Sequence, residues 1–322
     1  MRVFVAGAGG AVGRRLVPQL IARGHDVVAT TTSEAKTEAL RALGAEAVVM
    51  DGLDAGSVGE AVARSEPEAV VHEMTALAGS LDLRRFDEGF ALTNELRTKG
   101  TDHLLAAADA MGVPRFVAQS FAGWPNARNG GPVKSEQDEL DPSPPKAQRE
   151  SLAAIRHLER TVLGAGGVVL RYGSLYGPGT SLADEYPVLI RQRKLPVVGS
   201  GSGVWSFVHV DDAASATVAA VEYGATELYN IVDDEPAPVR EWLPYLAECL
   251  GAKPPRRVPA WLARFGVGEV GISLMTQVRG SSNAKARREL GWEPRYPSWR
   301  EGFRETALAP VVTEAAPISS LG

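Results

Sequence analysis

Residues 2–13 read RVFVAGAGGAVG, an apolar stretch that runs directly into a turn containing four glycines. The apolar residues predict a buried β-strand, and Val12, Leu16 and Leu20 recur at helical spacing behind the turn. The free amides at the start of such a helix attract phosphate groups. The stretch therefore predicts the strand, turn and helix that open a dinucleotide-binding βαβ unit.

The glycine spacing is GxxGxxG, because Val12 stands where a GxGxxG pattern would need its last glycine. We predict that Gly7 allows the sharp exit from the strand, that Gly10 lets the backbone approach a pyrophosphate, and that Gly13 lets the helix pack closely on the sheet. The predicted pyrophosphate site comprises Gly7, Gly10, Ala11, Val12 and Gly13. This spacing resembles the short-chain dehydrogenase/reductase superfamily.

Length and composition limit the kind of protein. A chain of 322 residues with 44% hydrophobic residues can bury one large core or two moderate ones, and its net charge of -5 argues against a nucleic-acid or anionic-membrane binder. No stretch is long and apolar enough to span a bilayer, and no leader precedes the first strand, so we expect a cytoplasmic protein. Cys249 is the only cysteine, and the five histidines lack ligand-pair spacing. We therefore expect neither a disulfide framework nor a metal site.

The tip of the second strand bears on the choice of cofactor. An acidic residue there would bind the adenosine ribose hydroxyls and repel a 2′-phosphate. This chain instead has Thr31, Thr32 and Ser33, with Lys36 close behind. The pattern favours NADP, with NAD as the alternative, although Lys36 is equally interpreted as a solvated charge on the following helix.

Two later loops bear on the cofactor through the resemblance. Extended members of the superfamily contact adenine through an Asp-x-x-Asp loop, which implies that role for Asp51 and the adjacent Gly52. From the residues alone, Asp54 fits a helix N-cap. After the fourth strand, related proteins carry small apolar residues where this chain has Glu73 and Met74.

The usual catalytic residues of the superfamily are absent. Residues 113–124 resemble the strand that delivers its catalytic hydroxyl, but Phe121 stands at that position, and Ser120 precedes it on the opposite face. The superfamily's Tyr-x-x-x-Lys motif, in which the ammonium lowers the pKa of the phenol, falls on Ala147 and Ser151. None of the seven tyrosines is followed four residues later by lysine. The nearest polar candidates for a catalytic role are Gln119, Ser120, Arg149 and Tyr172.

Two further segments leave alternatives open. The resemblance places the family's asparagine at Arg97, with Asn94 one turn earlier, on a helix that often packs against a partner subunit and so implies a homodimer. An ordinary core helix explains its apolar face equally well. The loop from residue 125 to 145 is rich in Pro, Gly and charge, and is interpreted either as a lid or as a solvated surface loop.

The resemblance to the extended short-chain dehydrogenases/reductases, the NAD-dependent epimerase/dehydratase group, spans about residues 1 to 306. We predict an α/β protein with a Rossmann-type doubly wound parallel sheet and a smaller C-terminal substrate-binding portion. The expected division is a dinucleotide-binding domain over 1–172, which segments around 205–225 rejoin, a substrate-binding portion over 173–306, and a disordered tail over 307–322.

Three functions are consistent with these residues. The first is an NAD(P)-dependent oxidoreductase with a non-standard site acting on a small organic substrate, and the others are a non-redox lyase, isomerase or epimerase, and a catalytically inactive dinucleotide-binding sensor. Without a general acid, an oxidoreductase is best suited to reducing a conjugated double bond, to attack on an already electrophilic carbon, or to a substrate that supplies its own proton. Arg171, Tyr172, Tyr176 and Trp205 suggest a pocket with aromatic walls, or alternatively core positions.

Overall fold

The computed structural model describes residues 1–77 and 82–308. The strands in these ranges are β1 (Arg2–Ala6), β2 (Asp26–Thr31), β3 (Glu46–Val49), β4 (Ala69–His72), β5 (Arg115–Phe121), β6 (Val133–Lys134), β7 (Val168–Tyr172), β8 (Ser174–Tyr176), β9 (Val197–Val198), β10 (Val204–Trp205), β11 (Phe207–His209), β12 (Leu228–Ile231), β13 (Ala237–Pro238), β14 (Arg257–Val258) and β15 (Gly280–Ser281).

The α-helices are α1 (Gly13–Ala22), α2 (Thr37–Arg41), α3 (Ala55–Ser65), α4 (Phe86–Gly89), α5 (Ala91–Glu95), α6 (Thr101–Ala110), α7 (Arg149–Gly164), α8 (Ser181–Asp184), α9 (Tyr186–Arg191), α10 (Val210–Tyr223), α11 (Val239–Cys249), α12 (Ala260–Thr276), α13 (Ala284–Leu290) and α14 (Trp299–Leu308). A π-helical turn, Leu96–Gly100, joins α5 to α6. No helix in the described ranges is long and apolar enough to cross a membrane.

Seven strands form one parallel sheet in the order β12-β7-β5-β4-β1-β2-β3. The chain starts in the middle of this sheet, moves outward through β2 and β3, and crosses back to β4 on the other side of β1. Helices cover both faces, which is why the interior strands β4 and β7 are buried along their whole length. The predicted Rossmann-type doubly wound sheet is confirmed.

The alternation of side chains along β1 divides the sheet's surroundings into two cores. Val3 and Val5 face one core, with Leu16 of α1 and residues of α10 and α13. Phe4 points to the opposite face, where it packs with Leu104 of α6 and residues of α3 and α7. The predicted amphipathic helix after the glycine turn is therefore one of the helices that cover this face of the sheet.

A third core belongs to the second half of the chain. It is built around the buried rings of Tyr176, Phe207, Trp242, Trp299 and Phe303.

Two other elements of the second half belong to the main sheet: β12 forms one edge of it, and α10 packs against α1. The boundary placed near residue 172 remains a prediction. Helix α14 reaches Leu308, two residues into the expected tail, and residues 309–322 lie outside the described ranges.

Candidate functional site

Of the three glycines in the GxxGxxG spacing, Gly7 and Gly13 are crowded and Gly10 is open. A Cβ atom on Gly7, whose φ is +94°, would lie 2.6 Å from the carbonyl carbon of Glu73, and one on Gly13 would lie 2.6 Å from the Cα of Ala8. At Gly10 the nearest atom would be 3.4 Å away. Gly7 and Gly13 are thus required by the fold, whereas Gly10 leaves exposed backbone at the start of α1. This cradle fits a pyrophosphate at the N-terminus of the helix.

A cavity of about 430 Å³ opens beside this turn. Its wall includes the backbone from Gly10 to Gly13 and residues at the carboxyl ends of β4, β5 and β7. In open α/β sheets, ligands bind at this edge. Most of the wall is apolar, and its aromatic members are Phe86, Phe90, Phe121, Trp124, Tyr172, Tyr186 and Trp205.

Glu73 brings a buried carboxyl group to the cavity wall. Tyr172 donates a hydrogen bond to Glu73 Oε1 at 2.6 Å, and the Tyr172 hydroxyl lies 2.5 Å from Thr217 Oγ1. Burial raises the pKa of Glu73 to about 8, against the smaller opposing effect of the hydrogen bond from Tyr172. Burial also raises the pKa of Tyr172. At neutral pH the pair is therefore mainly uncharged, with the proton of Glu73 retained by the folded protein.

Side-chain alternation along β5 separates Ser120 from its neighbours. Gln119 and Phe121 line the cavity, whereas the Ser120 hydroxyl donates a hydrogen bond to Glu159 Oε1 at 2.8 Å. The same carboxylate receives two hydrogen bonds from Arg171, Nε to Oε1 at 2.7 Å and Nη2 to Oε2 at 2.6 Å. Ser120 and Arg171 thus belong to a buried ion-pair network behind the strand.

Arg97 lies in the π-helical turn and lines the cavity, although its side chain is almost fully buried. Its Nε and Nη1 atoms have no hydrogen-bond partner among the described residues. Burial lowers the pKa of Arg97 to about 10, against a smaller opposing effect of the Glu159 carboxylate, so the guanidinium remains charged at neutral pH. Such π-helical turns occur frequently at functional sites. The cavity wall therefore carries a buried positive charge that makes no ion-pair contact within the described part of the chain.

The positions of the missing Tyr-x-x-x-Lys motif serve a structural purpose. Ser151 is fully buried, donates a hydrogen bond to Asp87 Oδ1 at 2.6 Å and accepts one from Asn94 Nδ2 at 3.1 Å. Asp87 also accepts from the Ser151 amide at 2.9 Å, which caps the start of α7. Ala147 lies in the short turn before this helix, and Arg149 is exposed on its first turn, away from the cavity wall.

The residues expected near the adenosine lie at the carboxyl ends of β2 and β3. Thr31 is half-buried, and Thr32 and Lys36 are exposed. Asp51 is exposed as well, and its Oδ1 accepts the amide of Leu53 at 2.9 Å. No acidic side chain stands at the tip of β2. Contact of these residues with a cofactor remains a prediction.

Two other residues of the β3 loop have packing roles. Asp54 Oδ1 accepts the amide of Ser57 at 2.9 Å, so its predicted role as a helix N-cap is confirmed for α3. A Cβ atom on Gly52 would lie 2.5 Å from the Sδ of Met74, which explains why a residue without a side chain stands there. The Met74 side chain thereby fills the space between this loop and the π-helical turn.

The structure divides the four predicted catalytic side chains. Gln119 and Tyr172 line the cavity, whereas Ser120 and Arg149 do not, because strand alternation turns the first away and the helix places the second in solvent. Of the proposed aromatic wall, Trp205 lines the cavity and Tyr176 is part of the third core.

Sequence reasoning assigned no site role to Glu73 or Arg97. Both residues depart from the family pattern, which has small apolar residues where Glu73 stands and an asparagine where Arg97 stands. These two departures were the sequence feature that could have identified them. The loop after Trp124 contributes nothing to the described cavity wall. Instead its β6 pairs with β15.

A doubly wound sheet whose glycine turn opens onto a mainly apolar cavity defines a dinucleotide-dependent enzyme of the Rossmann class. The family model of the NAD dependent epimerase/dehydratase family matches residues 3–232, and the chain belongs to this family. It is an NAD(P)-dependent oxidoreductase of the extended short-chain dehydrogenase/reductase type, acting on a small organic substrate.

Two relatives are similar over almost their whole length. A 3-diazoavenalumate denitrifying reductase of a Streptomyces species is 47% identical over 311 residues, covering 94% of this chain and 99% of the relative. A 2-alkyl-3-oxoalkanoate reductase of Stenotrophomonas maltophilia is 28% identical over 335 residues, covering 94% and 98%.

Among solved structures, UDP-glucose 4-epimerase of Thermus thermophilus in complex with NAD superposes with a TM-score of 0.71. The two chains are 25% identical, and the match covers 95% of this chain and 98% of the epimerase. The fold and the order of its elements are thus shared with an enzyme that binds a nicotinamide dinucleotide.

Proposed function

We propose that this protein reduces a diazo group on a small, flat, conjugated substrate, using NADPH and releasing dinitrogen. The observation that carries the proposal is the 47% identity, over nearly the full length of both chains, to a 3-diazoavenalumate denitrifying reductase. The aromatic walls of the cavity support a flat substrate, because stacked and edge-on ring contacts favour planar conjugated groups.

The chemistry explains why a general acid is dispensable. When bound, the reduced nicotinamide supplies a hydride. In the diazonium form, the substrate carbon that bears the nitrogen is already electrophilic. The hydride forms a carbon–hydrogen bond there, the carbon–nitrogen bond breaks, and the electron pair of that bond leaves with dinitrogen. Because the hydride balances the positive charge of the diazonium group, no proton has to be donated. Such a reaction tolerates Ala147 and Ser151 in place of the Tyr-x-x-x-Lys pair.

The residues of the cavity have distinct tasks in this proposal. The backbone of Gly10 to Gly13 binds the pyrophosphate, while Phe121 and Trp124 form part of the apolar wall and exclude water, which would otherwise attack the diazonium carbon. Glu73 is the one acidic side chain on the described wall. A cationic diazonium group beside it would favour its ionised form and be stabilised in return.

The proposal includes three further properties: cofactor preference, oligomeric state and location. NADP is preferred to NAD, because an acidic residue at the tip of β2 would repel the 2′-phosphate and this chain has Thr31 and Thr32 there instead. The protein is a homodimer, as the resemblance of the helix around Gly100 implies, and it is cytoplasmic. Size-exclusion chromatography with light scattering tests the dimer directly.

A second candidate function is the reduction of a ketone, and the state of Glu73 favours it. A carboxyl group whose pKa is about 8 still carries its proton at neutral pH and can donate it to a forming alkoxide. The 28% identity to a 2-alkyl-3-oxoalkanoate reductase agrees with this chemistry. In this case Glu73 replaces the missing tyrosine as the general acid.

One experiment separates the two candidates. The purified full chain is incubated with NADPH and either 3-diazo-4-hydroxycinnamate or an aryl β-keto acid, and cofactor oxidation is followed together with dinitrogen release by mass spectrometry. We expect one dinitrogen per NADPH oxidised, and none with Gly10→Val, which blocks the cofactor. Dinitrogen no faster than in the blank without protein would refute the diazo proposal, and reduction of the keto acid alone would establish the second candidate.

A further inference from the structure

The charges buried around the cavity do not balance. Arg171 is paired with Glu159, whereas Arg97 has no hydrogen-bonded partner in the parts of the chain that the structure describes. Glu73 is mainly neutral near pH 7, because burial raises its pKa to about 8. His72 is neutral as well, since burial lowers its pKa to about 4. Glu159 also attracts Arg97, so among the described residues two buried guanidinium groups share one carboxylate, and one positive charge remains in excess.

Such a charge is costly for the folded protein. A buried ion loses its hydration, which is why buried guanidinium groups are normally paired. Arg97 is attracted by the Glu159 carboxylate, but that carboxylate is already hydrogen-bonded to Arg171. Arg97 is only 3% exposed, and its Nε and Nη1 atoms are both buried without acceptors. The π-helical turn holds it against the cavity. A bound anion is the simplest partner that would satisfy it.

The chemistry of the wall identifies the kind of anion. Arg97 is the one lysine or arginine among the described residues that line the cavity, so the wall offers a single cation. One guanidinium matches a monoanion such as a carboxylate, to which it can donate a charge-assisted hydrogen bond. The surrounding aromatic side chains fit the conjugated body of the same molecule.

We propose that Arg97 binds the carboxylate of the substrate, and that the enzyme is specific for flat conjugated or aryl carboxylic acids. This inference rests on the proposed function for the reacting end of the substrate, and it adds the group by which the other end is recognised. Arg97 is then a specificity-determining residue. By holding the carboxylate, it also fixes where the diazo-bearing carbon of the same molecule lies in the cavity.

The test measures binding without turnover, so that it does not depend on diazo chemistry. The full chain is saturated with NADP⁺ and titrated by calorimetry with 4-hydroxycinnamate and with its methyl ester, which lacks the negative charge. We expect the acid to bind roughly ten- to a hundredfold more tightly than the ester. In Arg97→Met this preference should disappear, mainly through weaker binding of the acid, while Arg97→Lys should retain part of it.

The matched control is Arg160→Met, which removes an exposed arginine of α7 and should leave the preference intact. Equal affinity for acid and ester in the wild-type protein overturns the proposal without any variant, so a folding defect in Arg97→Met cannot hide the answer. An acid preference that survives in Arg97→Met also overturns it, as does a loss of NADP⁺ affinity alone, which would assign Arg97 to a cofactor phosphate.

The diazo reaction and the role of Arg97 can be refuted independently of each other. If the acid preference depends on Arg97 but no dinitrogen is released from the diazo substrate, carboxylate recognition stands and the diazo reaction is wrong. If dinitrogen is released equally fast from the diazo acid and from its methyl ester, and the two bind equally well, the reaction stands and the role of Arg97 is wrong.

Discussion

The substitution Glu73→Gln should change how the stability of this protein depends on pH. Glutamine keeps the shape of the side chain and an oxygen that can accept the 2.6 Å hydrogen bond from Tyr172, but it cannot ionise. Burial raises the pKa of Glu73 from 4.5 to about 8 in the folded protein. Between these two values the folded state holds a proton that the unfolded state releases, so the stability contributed by this group falls as pH rises.

The size of the effect follows from the two pKa values. From about pH 5.5 to about pH 7.5, a carboxyl with this shift lowers the free energy of unfolding by about 2.5 kcal/mol, which is the linkage expression evaluated at both ends. Other groups titrate in the same interval, and their contributions cancel when the variant is compared with the wild-type protein. The wild-type protein should therefore lose about 2.5 kcal/mol more than Glu73→Gln across that interval.

Urea unfolding followed by circular dichroism at both pH values measures this difference. The control is Glu60→Gln on α3, because the Glu60 side chain is 72% exposed and should leave the pH dependence as it is. If wild type and Glu73→Gln lose the same stability between the two pH values, the carboxyl is not held neutral by burial. The second candidate function would then lose its proton donor.

Three further predictions concern the cofactor site and the missing motif. Gly10→Val should abolish NADP(H) binding with little change in Tm, because a Cβ atom there meets its nearest neighbour only at 3.4 Å, and unchanged affinity by calorimetry would contradict the assignment of the turn. Thr31→Asp should weaken NADP binding at least about tenfold more than NAD binding, through repulsion of the 2′-phosphate, whereas equal weakening of both would count against a preference for NADP. Ala147→Tyr combined with Ser151→Lys should not raise kcat and should lower Tm, because Ser151 is fully buried and bonded to Asp87; a gain in kcat would mean that the ordinary catalytic pair had simply been lost.

The amino-acid sequence was sufficient for the sheet and the glycine turn. Apolar runs such as Val3 to Val5, and glycines at fixed spacing, act through local sterics and side-chain alternation, which are present in any short stretch of chain. The same alternation predicted that Ser120 would face away from Phe121, as the structure has it. The departures at positions 73 and 97 were also visible, but their meaning was not.

Only the tertiary structure decided what those two side chains do. Glu73 meets the hydroxyl of Tyr172, which lies 99 residues away in the chain, and this contact exists only because β4 and β7 both deliver residues to one edge of the sheet. Two nitrogen atoms of the Arg97 side chain lack hydrogen-bond acceptors in the described structure. The sequence cannot show this, because it does not show which acceptors lie near a buried side chain. Burial sets both pKa values, and burial is a property of packed segments, since a short peptide leaves every ionisable group in water.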